Sequence, residues 1–181
     1  MKTKNLILCA LFVALIAVGA FIRIPIPVVP FTLQVLFTMT AGLLLGGKLG
    51  AVAVTVYIAL GLFGLPAFAE GGGLSYILKP SFGYIIGFAV GAYATGVIAN
   101  KVPSPGYKRL LAANFIGLGI VYLFGMVYYY LMSNLYLNDP IGLWPLFLYC
   151  FILTVPGDIA LCILGAILGK RLIPIMKKNR T

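Results

Sequence analysis

From Trp144 to Gly169 the sequence carries one charged side chain, Asp158, in an otherwise uncharged run. A run of this kind is long enough to cross a bilayer, which takes about 20 apolar residues as a helix. Lipid offers no partner for backbone N–H and C=O groups, so such a segment must satisfy its own hydrogen bonds. The same character extends along the chain: 62% of the 181 residues are hydrophobic, mean hydropathy is +1.12, and only 9% are charged. A soluble domain has about 25% charged residues.

Dividing the chain at its charges, prolines and polar clusters predicts six spans over about 5–23, 31–46, 49–65, 81–100, 110–132 and 144–169. The predicted fold class is an all-α integral membrane protein: one domain, 1–181, with six transmembrane helices in a compact bundle. The start of the chain has a signal-peptide look, but its apolar stretch exceeds the usual 7–15 residues and reads better as a first span.

Six spans put both termini on one side. Lys2, Lys4, Lys48, Lys101, Lys108, Arg109, Lys170, Arg171, Lys177, Lys178 and Arg180 then share that side, and only Arg23 and Lys79 lie on the other. The positive-inside rule makes the shared side cytoplasmic. This distribution accounts for the net charge of +10 without nucleic acid. A cell-membrane, multi-pass location follows.

The chain has no His and three acids, which excludes a Ser-His-Asp set and a two-metal site. Cys9, Cys150 and Cys162 all fall in apolar runs and read as small hydrophobes, with neither a disulfide framework nor a zinc site. "GLLLGGKL" (42–49) approaches a P-loop, yet Leu49 stands where the metal-binding hydroxyl is needed and no strand precedes it. Its glycines read as a tight turn between spans 2 and 3. Gly83, Gly87 and Gly91 share a face of span 4 and read as close helix packing. Ala10 and Ala14 make a smaller such face on span 1, open to packing within the chain or to docking on another membrane subunit. The Tyr128–Tyr130 run reads as interfacial or packing residues.

Asp158 is the sharpest feature. A carboxylate at depth costs about 2.5–3.5 kcal/mol on insertion scales. It sits in "VPGD", where Pro156 and Gly157 favour a break in span 6. A broken helix lining a cavity is one way to build a site at membrane depth. The plainer reading makes Asp158 the N-cap of the following helix, and both roles stay open. Lys79 is either a snorkelling residue at a helix start or the receiver of an anionic ligand group. The Gly-rich loop "PAFAEGGGLSYILKP" is longer than a connection needs, as lids and binding loops are.

The stretch "PIPVVPFTLQ…AGLLLGGKLGAVAVTVYIALGLFGLPAFAEGGGLSYILKPSFGYIIGF" (25–88), with "VPGD" at 155–158, resembles the BioY family, the biotin-specific substrate-binding (S) components of energy-coupling factor (ECF) transporters. The likeness runs from span 1 through span 6. It implies a six-helix bundle with no cofactor and no enzymatic activity, biotin bound near the outer half, and a lid made by the Gly-rich loop with Gly72 and Gly73. It implies partners too: a transmembrane coupling protein and two ABC ATPases, with the Ala10 and Ala14 face of helix 1 as the docking surface. Asp158 would accept an N–H of the ligand. Chemistry and position add Gln34 and Asn114 for the ureido group, Phe68, Tyr76 and Tyr84 for the fused rings, and Lys79 for the valerate carboxylate. The family pattern often places a Lys three residues after the motif Asp; here position 161 is Leu. Two other readings remain: an S component for another vitamin or a solitary biotin facilitator, and an intramembrane enzyme or assembly protein with Asp158 as acid or base.

Overall fold

The structure, a computed structural model, describes residues 3–24 and 29–178. Positions 25–28 of the Pro-rich connection, Lys2 and Arg180 lie outside the described residues. The helices are α1 (Thr3–Phe21), α2 (Gln34–Leu45), α3 (Gly47–Leu62), α4 (Phe82–Asn100), α5 (Tyr107–Leu131), α6 (Leu143–Phe147) and α7 (Val155–Lys178). Among the described residues, four runs are long and apolar enough to cross a membrane: Thr3–Phe21, Phe82–Asn100, Tyr107–Tyr136 and Leu143–Met176. α2 and α3 are shorter apolar helices, and α6 and nearly all of α7 fall within one of the four long runs.

α2 is the centre of the bundle. Every residue in it except Phe37 is buried. At 12 residues it rises about 18 Å, well short of the hydrocarbon thickness, but helices α1, α3, α4 and α7 surround it. The turn into α3 is made by Gly46 alone, at φ +86°. That conformation is open to glycine and strained for other residues. The glycines of "GLLLGGKL" do build the tight turn.

Glycine also sets how closely α4 approaches its neighbours. A Cβ on Gly87 would lie 2.9 Å from Val121 Cα, and one on Gly91 would lie 2.9 Å from the Gly117 carbonyl. On the other side of α4, a Cβ on Gly96 would meet the Gly42 carbonyl at 2.6 Å. The span-4 glycines are internal packing positions.

Side-chain bonds tie the basic ends together. Lys170 Nζ donates to the Pro105 carbonyl at 3.2 Å, Arg109 Nε to the Ile98 carbonyl at 2.8 Å, and Asn100 Nδ2 to the Leu43 carbonyl at 3.1 Å. At the opposite end lies a feature the all-helical reading lacks. Arg23–Ile24 (β1) and Phe31–Thr32 (β2) form a two-stranded antiparallel ladder, with Arg23 opposite Thr32. The prolines of this connection favour extended backbone, so a short ladder is the local solution.

The sixth span is broken, but earlier than "PG" suggests. α6 gives way to a π-helical turn at Leu148–Ile152, and α7 starts at Val155. Pro156 has no N–H to offer the carbonyl of Ile152, so the interruption falls before the proline. Proline is well tolerated in the first turn of the helix that follows.

Candidate functional site

One cleft opens near the end of the bundle that carries β1 and β2. It holds about 590 Å³ of interatomic space, counting its open mouth. Its walls come from the β2 region (Phe31, Thr32), α2 (Gln34, Val35), α4 (Tyr84, Ile85, Phe88), α5 (Val121, Tyr122) and α7 (Asp158). Ala69 and Tyr76 of the loop, Ser81 and Thr154 complete the lining, beside Val29 and Pro30.

Asp158 is 5% exposed and is the fourth residue of α7. It is not the N-cap, because its own N–H already bonds the Thr154 carbonyl at 3.1 Å. The first-turn position still places its carboxylate at the positive end of the helix dipole. Oδ2 accepts from the Tyr122 hydroxyl, and Oδ1 is buried without a partner. Each residue of "PGD" has a separate task here. Pro156 ends the preceding helix. Gly157 lets α7 approach β2, since a Cβ there would meet the Phe31 ring at 2.5–3.1 Å. Asp158 then faces the cleft.

The break frees the carbonyl of Cys150, because the Thr154 N–H bonds Phe151 instead. Tyr84 Oη donates to that carbonyl at 3.1 Å, and Thr154 Oγ1 lies 3.3 Å from it. With its hydroxyl so occupied, Tyr84 offers the cleft its ring. Tyr84 and Tyr122 meet edge to face at 6.2 Å, and Tyr122 meets Phe151 the same way at 5.0 Å.

Gln34 lines the cleft within a chain of directed hydrogen bonds. Thr32 Oγ1 donates to Gln34 Oε1 at 3.1 Å, Gln34 Nε2 donates to Tyr57 Oη at 2.5 Å, and Tyr57 Oη donates to the Ala67 carbonyl at 3.0 Å. This chain runs from the β2 hairpin through α2 and α3 into the Gly-rich loop. Both polar atoms of Gln34 already have partners, leaving one N–H for a ligand.

The loop folds back over the bundle. The Gly73 N–H donates to the Gly61 carbonyl at 2.7 Å, and Phe68 and Gly71 exchange backbone bonds of 2.9 and 3.2 Å. Gly71 and Gly73 both have positive φ, +114° and +99°. Phe68, fully buried, seats its ring on Gly61 between Tyr57 and Tyr76. Arg23 donates to the Ala69 carbonyl, and Lys79 pairs with Glu70 at 3.1 Å. Burial holds the Tyr76 phenol above its usual range, so it is a neutral group at the mouth.

Of the residues singled out from sequence, Asp158, Gln34, Tyr76 and Tyr84 line the cleft. Phe68, Gly72 and Gly73 shape the loop behind it, and Lys79 stands at its edge with Nζ 5.0 Å from the centre of the Tyr76 ring. Asn114 is placed elsewhere: it is fully buried, and its Nδ2 donates to the Cys162 carbonyl between α5 and α7 at 2.8 Å. Two helical turns separate it from Tyr122 on α5, so it packs below the cleft. Leu161 is buried and apolar, and the hydroxyl of Tyr122 takes up the carboxylate instead. Tyr122, Thr154 and Ser81 went unnoticed in the sequence. The spacing Asn114, Leu118, Tyr122, Gly125 on one buried face of α5 was the available signal.

Ala10 and Ala14 lie on the exposed side of α1 with Leu6, Ile7, Leu11 and Val18. The three cysteines are free and buried, and among the described residues no cluster of His, Cys, Asp or Glu can hold a metal.

Fold and site together define a class: a helical membrane protein with a partly polar cleft, shaped for a small molecule, near one end of its bundle. The comparisons with known proteins make this specific. A model of the BioY family matches residues 1–178. The chain is 45% identical over 179 residues to the probable biotin transporter BioY of Lysinibacillus sphaericus, covering 99% of this chain and 91% of that protein. It is 42% identical over 137 residues to the biotin transporter BioY of Thermotoga maritima, covering 75% and 78%. Its fold matches the crystal structure of the S-component for biotin from an ECF-type ABC transporter with a TM-score of 0.80 at 31% identity, covering 94% of this chain and 91% of that one. The chain belongs to the BioY family.

Proposed function

We infer that this chain binds biotin from outside the cell and carries it across the plasma membrane as the substrate-specific subunit of an ECF-type transporter. ATP hydrolysis is supplied in trans by two ABC ATPases, through a transmembrane coupling protein, since this chain has no complete P-loop. The termini and the basic end of the bundle face the cytoplasm, and the cleft opens outward.

The observation that carries the ligand reading is the free Oδ1 of Asp158 at the floor of the cleft. Biotin presents a ureido ring with two N–H donors, a thioether ring and a carboxylate tail. An N–H to this carboxylate makes a charge-assisted bond, stronger than a neutral one. Tyr84, Tyr122 and Phe88 supply the apolar walls for the fused rings. Analogues lacking the donor leave Oδ1 unpaired and are rejected. The exposed Ala10 and Ala14 stripe of α1 suits close approach by a helix of the coupling protein.

Calorimetric titration of biotin into the purified chain tests this, with Asp158→Asn alongside. We expect tight binding by the wild type and a loss of about 1.5–3 kcal/mol in the variant. Equal binding by both keeps biotin as the ligand and makes Asp158 structural. A folded wild type that does not bind biotin overturns the assignment.

A further inference from the structure

Among the described residues, four buried side-chain atoms have no hydrogen-bond partner: Thr40 Oγ1, Ser81 Oγ, Asn114 Oδ1 and Asp158 Oδ1. Only Ser81 and Asp158 line the cleft. Buried polar groups in folded proteins are satisfied in the great majority of cases. Two such atoms in one cleft therefore mark where its ligand bonds.

The ordinary explanations for a serine at this place fail. Ser81 precedes α4, yet its side chain makes no capping bond. Its hydroxyl interacts with that of Tyr76 across the mouth, but not within hydrogen-bond geometry, so Ser81 Oγ keeps its bonding capacity.

The two atoms stand at different depths. Gly87 on α4 lies against Val121 on α5, level with the Tyr122–Asp158 pair. Ser81, just before α4, is six residues earlier than Gly87, about 9 Å toward the mouth at 1.5 Å per residue. The floor carries a carboxylate, which suits a donor. The mouth carries Lys79, paired with Glu70, and Arg23, bonded to the Ala69 carbonyl, a more basic setting than the carboxylate at the floor. The cleft is polarised along its length to match an elongated molecule with N–H donors at one end and an acid at the other.

We propose that Ser81 is a second ligand-recognition residue, whose hydroxyl donates to the carboxylate of the bound acid at the mouth of the cleft. The inference rests on the biotin reading and assigns that ligand's orientation: ureido ring down on Asp158, carboxylate up at Ser81.

The test compares biotin with biotin methyl ester on wild type, Ser81→Ala and Ser81→Thr by calorimetry. Loss of a hydrogen bond to a charged group weakens biotin binding by Ser81→Ala about tenfold or more. The neutral ester loses about threefold at most, and Ser81→Thr, which keeps the hydroxyl, stays near wild type. Unchanged biotin affinity in Ser81→Ala overturns the proposal. So does an equal loss for acid and ester, which is the mark of a packing role. Wild type that binds neither compound overturns the biotin reading itself, an outcome distinct from a wild type that binds while Ser81 proves silent.

Discussion

Tyr122 donates its only hydroxyl proton to Oδ2 of Asp158, while Thr154 Oγ1 sits 2.8 Å from the same phenolic oxygen. With the Tyr122 proton directed to the carboxylate, the phenolic oxygen is left to accept, and Thr154 is the hydroxyl placed to donate to it. Such a chain orients Asp158 with one oxygen engaged and the other toward the cleft. In Tyr122→Phe the ring keeps its edge contacts with Tyr84 and Phe151, and only the hydroxyl goes. The carboxylate then loses its one side-chain donor and its orientation. We expect biotin affinity to fall by about tenfold, less than in Asp158→Asn, and stability to fall by about 1–3 kcal/mol as a buried carboxylate oxygen loses its donor. Calorimetry on the purified variant measures this. Unchanged affinity would mean that the α7 backbone alone orients Asp158.

Glu70 and Lys79 pair at the mouth with side chains 40% and 41% exposed. A pair that open to water is worth about 0–1 kcal/mol. Removing it costs little stability but releases Lys79 beside Tyr76. On the proposed reading of the site, Glu70 would compete with the ligand carboxylate for that ammonium. Glu70→Gln should therefore bind biotin about two- to fivefold more tightly at low ionic strength. The gain should shrink as salt is raised, since exposed charges are screened. Titrations of biotin at two salt concentrations check both statements. A weaker-binding Glu70→Gln would show that the ion pair holds the loop in its binding shape.

The helical character was legible in the sequence because uncharged apolar runs have few other ways to fold. Asp158 was legible for the same reason: a lone carboxylate in such a run needs an explanation. Its role as N-cap was misplaced by one turn, since Pro156 sits comfortably inside the first turn of α7 and moves the break to residues 148–154. Asn114 looked like Gln34, a lone amide in a span, and only three-dimensional depth separates them. Tyr122 and Ser81 gave no compositional signal at all. A tyrosine among eleven and a serine before a helix become informative only once their hydrogen bonds, made or missing, can be counted.

The outer side of α1 presents Ala10 and Ala14 between Ile7, Leu11 and Val18. Alanines at this spacing admit a neighbouring helix closely, and a bulky side chain there keeps it away. Ala14 contributes nothing to the cleft, so Ala14→Trp should bind biotin like wild type. In cells that express the coupling protein and both ATPases, uptake should fall by tenfold or more, about 1.4 kcal/mol of lost association. Uptake of labelled biotin at matched expression is the measurement. Normal uptake would move the docking surface to another face.

Gly91 and Gly119 give a paired test of helix packing. A Cβ at Gly91 would press on the Gly117 carbonyl at 2.9 Å, Val121 Cγ2 at 3.0 Å and Met39 Cε at 3.2 Å. Two of these three neighbours belong to α5, so a larger residue must push α4 and α5 apart along their contact. Gly119 on α5 is exposed, with nothing within 4 Å of its Cβ position. Gly91→Leu should destabilise the bundle by about 1–3 kcal/mol or more through overpacking. Gly119→Leu replaces a poor helix former with a good one on an open face and should be neutral or stabilising by up to about 1 kcal/mol. The buried thiols of Cys9, Cys150 and Cys162 supply the readout, because they meet a thiol-reactive dye only as the bundle opens. Heating each variant in detergent with that dye should give a lower midpoint for Gly91→Leu alone. Equal midpoints would mean that α4 and α5 tolerate separation, and that the glycines do not set their approach.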